Sequence, residues 1–207
     1  MEWLANIKIQ YVIAAVVILF AARMVLGKYK SRAAKSAAET VESALIAIVL
    51  VFLIIKPFIV QAFYIPSTSM LPTLRKQDHI LVNKFIYRFR EPRYGDIIVF
   101  KCPPEASTDG EEKDFIKRLV GRSDDVLEVK AGSLYRNGSR VKEPYLNELQ
   151  IDYEMEPLKV PEGMLFVMGD NRNCSNDSHA WGPLNRDRVL GKATVTFWPL
   201  HRMGVVH

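Results

Sequence analysis

A serine hydroxyl attacks a carbonyl only when a neighbouring base takes its proton, so each serine of this chain has to be matched with a base that could serve it. The histidines answer poorly. His201 and His207 lie in the C-terminal tail, His79 opens a predicted strand, and His179 sits in a polar loop. No Gly-x-Ser-x-Gly elbow is present, so a Ser-His-Asp hydrolase is unsupported. Lys117 is the other candidate. It stands in Phe115-Ile116-Lys117-Arg118-Leu119-Val120, and on a strand the two-residue period puts Phe115 and Leu119 on its own face and Arg118 on the other. Burial on that face would disfavour the ammonium form and leave a neutral amine able to accept a serine proton. Taken alone, Lys117 reads more readily as a surface lysine of a half-exposed strand, because lysine is almost never fully buried.

The serine side is the stretch Ile65-Pro66-Ser67-Thr68-Ser69-Met70-Leu71-Pro72-Thr73-Leu74, which sets hydroxyls between prolines and apolar residues. By itself it is a loop with satisfied hydroxyls, the commoner fate of such a segment. As a catalytic loop it would present Ser69 as nucleophile, with the Ser69 amide and the Ser67 hydroxyl holding the oxyanion.

Strands must position these groups. From Gln61 onward short apolar stretches alternate with Gly, Pro, Asn and Asp, which predicts strands over His79–Phe85, Asp96–Phe100, Phe115–Val120, Val126–Val129, Met164–Met168 and Val189–Phe197. Asn137-Gly138, flanked by Leu134-Tyr135 and Val141, predicts a two-residue hairpin turn. The acidic stretch Glu105 to Asp114 reads as a solvated loop. Before Gln61 lie two apolar runs, about 9–27 and 42–60, that read as transmembrane helices, with Arg23 and Lys56 near their ends. The loop 28–41 carries Lys28, Lys30, Arg32 and Lys35, and the positive-inside rule keeps it cytoplasmic and both termini outside. A cleavable signal peptide would carry its cationic region before the apolar run, whereas here it follows. Residues 1–60 are thus expected to form a membrane anchor and 61–207 an extracytoplasmic β domain, with Phe63 and Tyr64 at the lipid interface.

Composition excludes several classes. The net charge of +5 comes from scattered residues without a helix-turn-helix, zinc-knuckle or aromatic RNA-binding signature, so nucleic acid is not an expected partner. Cys102 and Cys174 are too few for a disulfide scaffold and lack zinc-ligand spacing. In the outer compartment they could meet, but spacing alone leaves that open.

Four segments in order resemble the bacterial type I signal peptidases, membrane-bound Ser/Lys peptidases that mature exported proteins. They are Pro66 to Leu74; Tyr94-Gly95-Asp96-Ile97-Ile98-Val99-Phe100; Phe115 to Gly121; and Met168-Gly169-Asp170-Asn171-Arg172-Asn173-Cys174-Ser175-Asn176-Asp177-Ser178-His179-Ala180-Trp181-Gly182. The resemblance implies an antiparallel, mainly β catalytic domain after two membrane spans, with Ser69 as nucleophile, Lys117 as base and Ser67 in the oxyanion hole. It implies that Ser175 hydrogen-bonds the lysine amine and that Asp177 organises the surrounding loop. Gly169 to Arg172 would be scaffold, and no metal or organic cofactor is needed. Ile65, Met70 and Ile116, neighbours in sequence of the two reactive residues, are candidates for shallow pockets that take small side chains before the cut. Expected partners are preproteins with signal peptides, membrane lipid and, nearby, the export translocon. Two positions depart from the family pattern: His179 stands where many members have arginine, and Ser123-Asp124-Asp125 where Pro-Gly-Asp is usual. Two rivals stand beside this reading. The self-cleaving Ser/Lys peptidases of the SOS repressor type are soluble, and a degenerate envelope protein that binds preproteins without cutting would not need Ser69 and Lys117 together.

Overall fold

In the computed structural model residues 9–28, 31–51, 60–107, 113–146 and 150–207 are described. The chain divides into two units, Met1–Gln61 and Ala62–His207.

The first unit holds helix α1 (Ile9–Leu26) and helix α2 (Arg32–Val49). Helix α2 starts within the stretch 28–41 that the charge pattern assigned to a loop. Ala33, Ala37 and Ala38 favour helix strongly, and a backbone bond from Lys35 to Ser31 opens it. Arg23 of α1 donates through Nε to Glu42 of α2 at 2.9 Å, so its charge is paired as well as terminal. Among the described residues no helix is long and apolar enough to cross a membrane. The 18 residues of α1 rise about 27 Å, short of a hydrocarbon core of about 30 Å. Much of the second expected span, residues 52–59, lies outside the described residues.

The second unit is built from antiparallel strands in two sheets. The larger contains β1 (Val60–Tyr64), β2 (His79–Asn83), β3 (Ile97–Lys101), β4 (Asp114–Arg122), β9 (Met164–Met168), β10 (Leu184–Asn185), β11 (Val189–Trp198) and β12 (Gly204–Val205). Its order is β1-β2-β11-β3-β4-β9-β10, with β12 on β11. The smaller sheet is ordered β7-β6-β5-β8, from β5 (Val126–Lys130), β6 (Ser133–Arg136), β7 (Ser139–Arg140) and β8 (Met155–Lys159).

The run Ile97-Ile98-Val99-Phe100 shows why these strands read as continuous apolar stretches. Ile97 and Val99 pack in one core cluster with Ile65, Met70 and Ile116, while Ile98 and Phe100 pack in another with Leu119 and Val167. A strand buried on both faces has no polar alternation to show. Strand β4 sits between β3 and β9, with Lys117 opposite Ile98 and Arg118 opposite Met168, so the lysine stands mid-sheet. At Gly121 this strand passes β5 so closely that a Cβ would lie 2.5 Å from Leu127 Cδ1.

The local turns follow their residues. Strand β2 ends at Asn83, two residues before the predicted limit, because Asn83 Oδ1 accepts from the Phe85 and Ile86 amides and turns the chain into a 3-10 turn. Asn137 and Gly138 both take positive φ, 53° and 76°, between β6 and β7. At the departure Ser123-Asp124-Asp125, Asp124 takes φ 69°, a region aspartate tolerates better than most residues. The turn is held by Asp125, whose Oδ2 accepts from the Arg122 amide at 2.8 Å and the Tyr94 hydroxyl at 2.9 Å.

Candidate active site

The loop from Pro66 to Leu74 leads from β1 toward β2 and is fixed at its ends. The Ile65 amide donates to Asp78 O and the Gln77 amide to Ile65 O, closing the base of the loop, while Leu74 donates back to Met70 O. Met70 and Leu74 are buried in the core cluster with Ile65 and Ile116. Met70 thus anchors the residue before it at the sheet surface.

Ser69 meets Lys117 there. The amine Nζ lies 2.7 Å from Ser69 Oγ, and Ser67 Oγ lies 3.3 Å from the same atom. Lys117 is only 5% exposed, and its amine stands 5.6 Å from the centre of the Phe115 ring. Desolvation pushes its pKa from 10.5 down to about 8; the charges of Asp177, Asp170 and Cys102 act the other way. Close to neutrality a usable fraction of the amine is therefore uncharged, which is the state that accepts a proton.

Arg118, the next residue, is as deeply buried on the other face. Its Nε and Nη2 donate to the two oxygens of fully buried Asp170 at 2.7 and 2.6 Å, and Nη1 donates to Gly95 O at 2.9 Å. Thr73 Oγ1 donates to the same Asp170 carboxylate, so one side chain ties the serine loop to the lysine strand. The Arg118 guanidinium also lies 3.8 Å over the Tyr145 ring. Removing one partner of such a buried pair leaves the other charge uncompensated. Asp170→Asn is expected to lower unfolding stability by about 3 to 5 kcal/mol in thermal or denaturant melts; a loss below about 1 kcal/mol would mean the clamp is not structural.

Asp177 is fully buried and caps the short helix α3 (Ser178–Trp181). Its Oδ2 accepts from the Gly169 amide at 2.8 Å, and its Oδ1 accepts from the His179 amide at 3.2 Å and lies 2.8 Å from His179 Nδ1. His179 in turn stacks on Tyr153, with ring centres 4.4 Å apart. Because the Asp177 charge favours the protonated amine, removing it lowers the Lys117 pKa. Asp177→Asn is therefore expected to shift the acid limb of kcat/KM to lower pH, and a shift to higher pH or none would contradict this electrostatic link.

The structure brings Ser69, Ser67 and Lys117 together and gathers Ile65, Met70 and Ile116 beneath them in one cluster. The bond from Ser175 to the lysine amine that the resemblance implied is not formed. Ser175 Oγ is buried without a hydrogen-bond partner, because it packs against Gly169, where a Cβ would stand 2.2 Å from that oxygen and 2.4 Å from Ser69 O. Cys102 is buried and Cys174 exposed, and the two are not joined in a disulfide. A cavity of about 350 Å³ bordered by Ser133, Leu134, Arg140, Glu143 and Ile151 contains none of these residues. Among the described residues no His, Cys, Asp or Glu group is arranged to hold a metal.

Sequence reasoning missed two elements of the site. Arg118 was read only as pointing away from Lys117, although it is bonded to Asp170, and Arg172 was assigned to scaffold without a partner. Its guanidinium donates to both Glu143 oxygens at 2.9 and 2.6 Å and to Gly169 O at 3.0 Å. The one available signal was that two of the matched segments set charges among apolar residues, Arg118 in one and Asp170 and Arg172 in the other.

Comparison with known proteins identifies the family. A family described as signal peptidase, peptidase S26, matches residues 37–198. Signal peptidase I of Leptolyngbya laminosa is 44% identical over 153 residues, 72% of this chain and 74% of that protein. The Synechocystis sp. protein named "Probable signal peptidase I-1" is 41% identical over 168 residues, 80% of this chain and 85% of its own length. A crystal structure of a signal peptidase I from Enterococcus faecalis is 30% identical and aligns with 50% of this chain and 97% of that one, at a TM-score of 0.42. The chain belongs to the peptidase S26 family of signal peptidases.

Proposed function

We propose that this serine endopeptidase of the signal peptidase I family cuts through Ser69 as nucleophile and Lys117 as general base. The observation that carries the reading is the 2.7 Å contact between a buried amine and the Ser69 hydroxyl. The neutral amine takes the Ser69 proton as Oγ bonds to the scissile carbonyl carbon, and the oxygen of that carbonyl becomes an anion facing the Ser69 amide and the Ser67 hydroxyl. The ammonium of Lys117 then protonates the leaving amine as the C–N bond breaks. Water, deprotonated by the same amine, attacks the acyl-enzyme ester; Ser69 Oγ leaves and recovers its proton from Lys117. Asp177 shapes the loop beside the amine. Ile65, Met70 and Ile116, buried in one cluster, support from below the apolar surface on which small substrate side chains rest.

The substrates are preproteins carrying N-terminal signal peptides. The two apolar runs 9–27 and 42–60, with the basic stretch between them on the cytoplasmic side, anchor residues 61–207 at the outer face of the cytoplasmic membrane. Lipid contact and proximity to the export translocon follow from that placement, since a substrate's hydrophobic segment in the same bilayer raises its effective concentration at the site. Incubating the full chain in lipid vesicles with a preprotein bearing a small-x-small motif tests the reading. Release of a product whose new N-terminus follows that motif supports it; an intact preprotein, or cuts elsewhere, counts against it.

A further inference from the structure

A peptide unit is planar and trans, so its carbonyl and its N–H point in opposite directions. Whatever holds the Thr68 oxygen therefore aims the Ser69 amide. Two donors hold it: the Leu71 amide at 3.1 Å and the side-chain amide of Asn171 at 3.2 Å. The backbone amide of Asn171 also donates to Ser69 O at 3.0 Å. One residue thus grips the carbonyls of both peptide units that flank the nucleophile. Gly169 lets it come this close, since a Cβ there would meet Ser69 O. Among the described residues the Ser69 amide itself donates to no carbonyl or side chain. An amide held by its peptide plane and left without an acceptor is preorganised for charge that appears only during reaction.

We propose that Asn171 is a positioning residue of the oxyanion site: by holding the Thr68 oxygen, its side chain directs the Ser69 amide at the oxygen that becomes negative in the tetrahedral intermediate. This rests on the Ser69 and Lys117 reading and adds to it. Asn171 touches neither the substrate nor the transferred proton. Its removal should loosen the aim of one donor while leaving the dyad and the substrate pockets in place.

The test uses the full chain in detergent micelles with a preprotein substrate. For Asn171→Ala, kcat is expected to fall about 10- to 100-fold, less than the ~10²- to 10³-fold that follows outright loss of an oxyanion donor. KM should stay within about twofold, because binding of the ground state is untouched. The acid limb of the pH profile should keep the wild-type midpoint. A peptide aldehyde ending in the small-x-small pattern adds to Ser69 as a hemiacetal whose oxygen occupies the oxyanion position, so its affinity should fall by a similar factor. The corresponding alcohol, which cannot form that adduct, should bind as it does to the wild type. Asn171→Asp keeps the size but loses the donor, and it should show the same losses if the alanine variant fails to fold.

Unchanged kcat in either folded variant would overturn the proposal. So would an aldehyde and an alcohol weakened alike, which would make Asn171 a loop support only. Ser69→Ala run in parallel separates the two levels. If it still cuts, the dyad reading fails and Asn171 falls with it; if it is inactive while Asn171→Ala is unimpaired, only the positioning role fails.

Discussion

Ser69→Ala is expected to reduce preprotein cleavage by roughly 10⁴- to 10⁶-fold, to the level that binding and oxyanion contacts alone sustain. The magnitude follows from the arrangement around Oγ. Lys117 Nζ at 2.7 Å is the only base in contact with that hydroxyl among the described residues, and no second nucleophile is poised to replace it. Ser67 Oγ lies 3.3 Å from Ser69 Oγ, but the structure gives it no contact with the amine. The scaffold should barely notice the change, since the bonds that fix this loop run through backbone atoms and Thr73. A melting curve close to wild type, with cleavage abolished, is the expected pair of results. Retention of near-normal cleavage would remove Ser69 from the mechanism.

Lys117→Met is expected to cause a comparable loss of cleavage and, unlike most substitutions in a core, to raise stability. The amine is nearly inaccessible, and desolvation holds its pKa at about 8 against 10.5 when exposed. At pH 7 both the folded and the unfolded chain carry a proton there, but the folded chain bears it at a cost of about 3 kcal/mol. The contribution has a definite sign with pH. The penalty is full below the folded pKa, shrinks as pH rises from about 8, and is gone above the unfolded value of 10.5. Methionine fills the same channel without a charge, so the variant should be more stable by about 1 to 3 kcal/mol at pH 7, with the gain fading toward pH 10. The double variant should be no less active than either single one, because the two residues act as one unit. Loss of stability in Lys117→Met at pH 7, with cleavage intact, would contradict both halves of the prediction.

The strands were legible because burial on both faces leaves a continuous apolar run, as in Ile97 to Phe100 and Met164 to Met168. The Asn137-Gly138 turn was legible because few other pairs tolerate positive φ twice. Strand β8 was not, because Met155-Glu156-Pro157-Leu158-Lys159 carries a proline and two charges and faces solvent along much of its length. Neither were the two-residue strands β10 and β12, which exist only through their neighbours. At the site, residue types pointed to Ser69 and Lys117, but not to the contact itself. They stand 48 positions apart, and the loop and the strand meet only through pairings set by the whole sheet. The clamp between Arg118 and Asp170 was hidden for the same reason, since 52 positions separate its halves and an arginine on a strand usually means a solvent face. Ser175 was the converse case. Its hydroxyl was assigned a partner from the family pattern, whereas its position is set by close packing on Gly169.

The central claim is that Lys117 must lose its proton before Ser69 can react, and the pH dependence of kcat/KM measures that directly. With the full chain in vesicles and a preprotein held below KM, the rate should climb with a slope of one on the acid side and level off, with a midpoint near 8. Asp177→Asn should carry that midpoint lower. A midpoint near 6.5, the ordinary value for histidine, or a profile flat from pH 6 to 10, would show that some other group takes the proton.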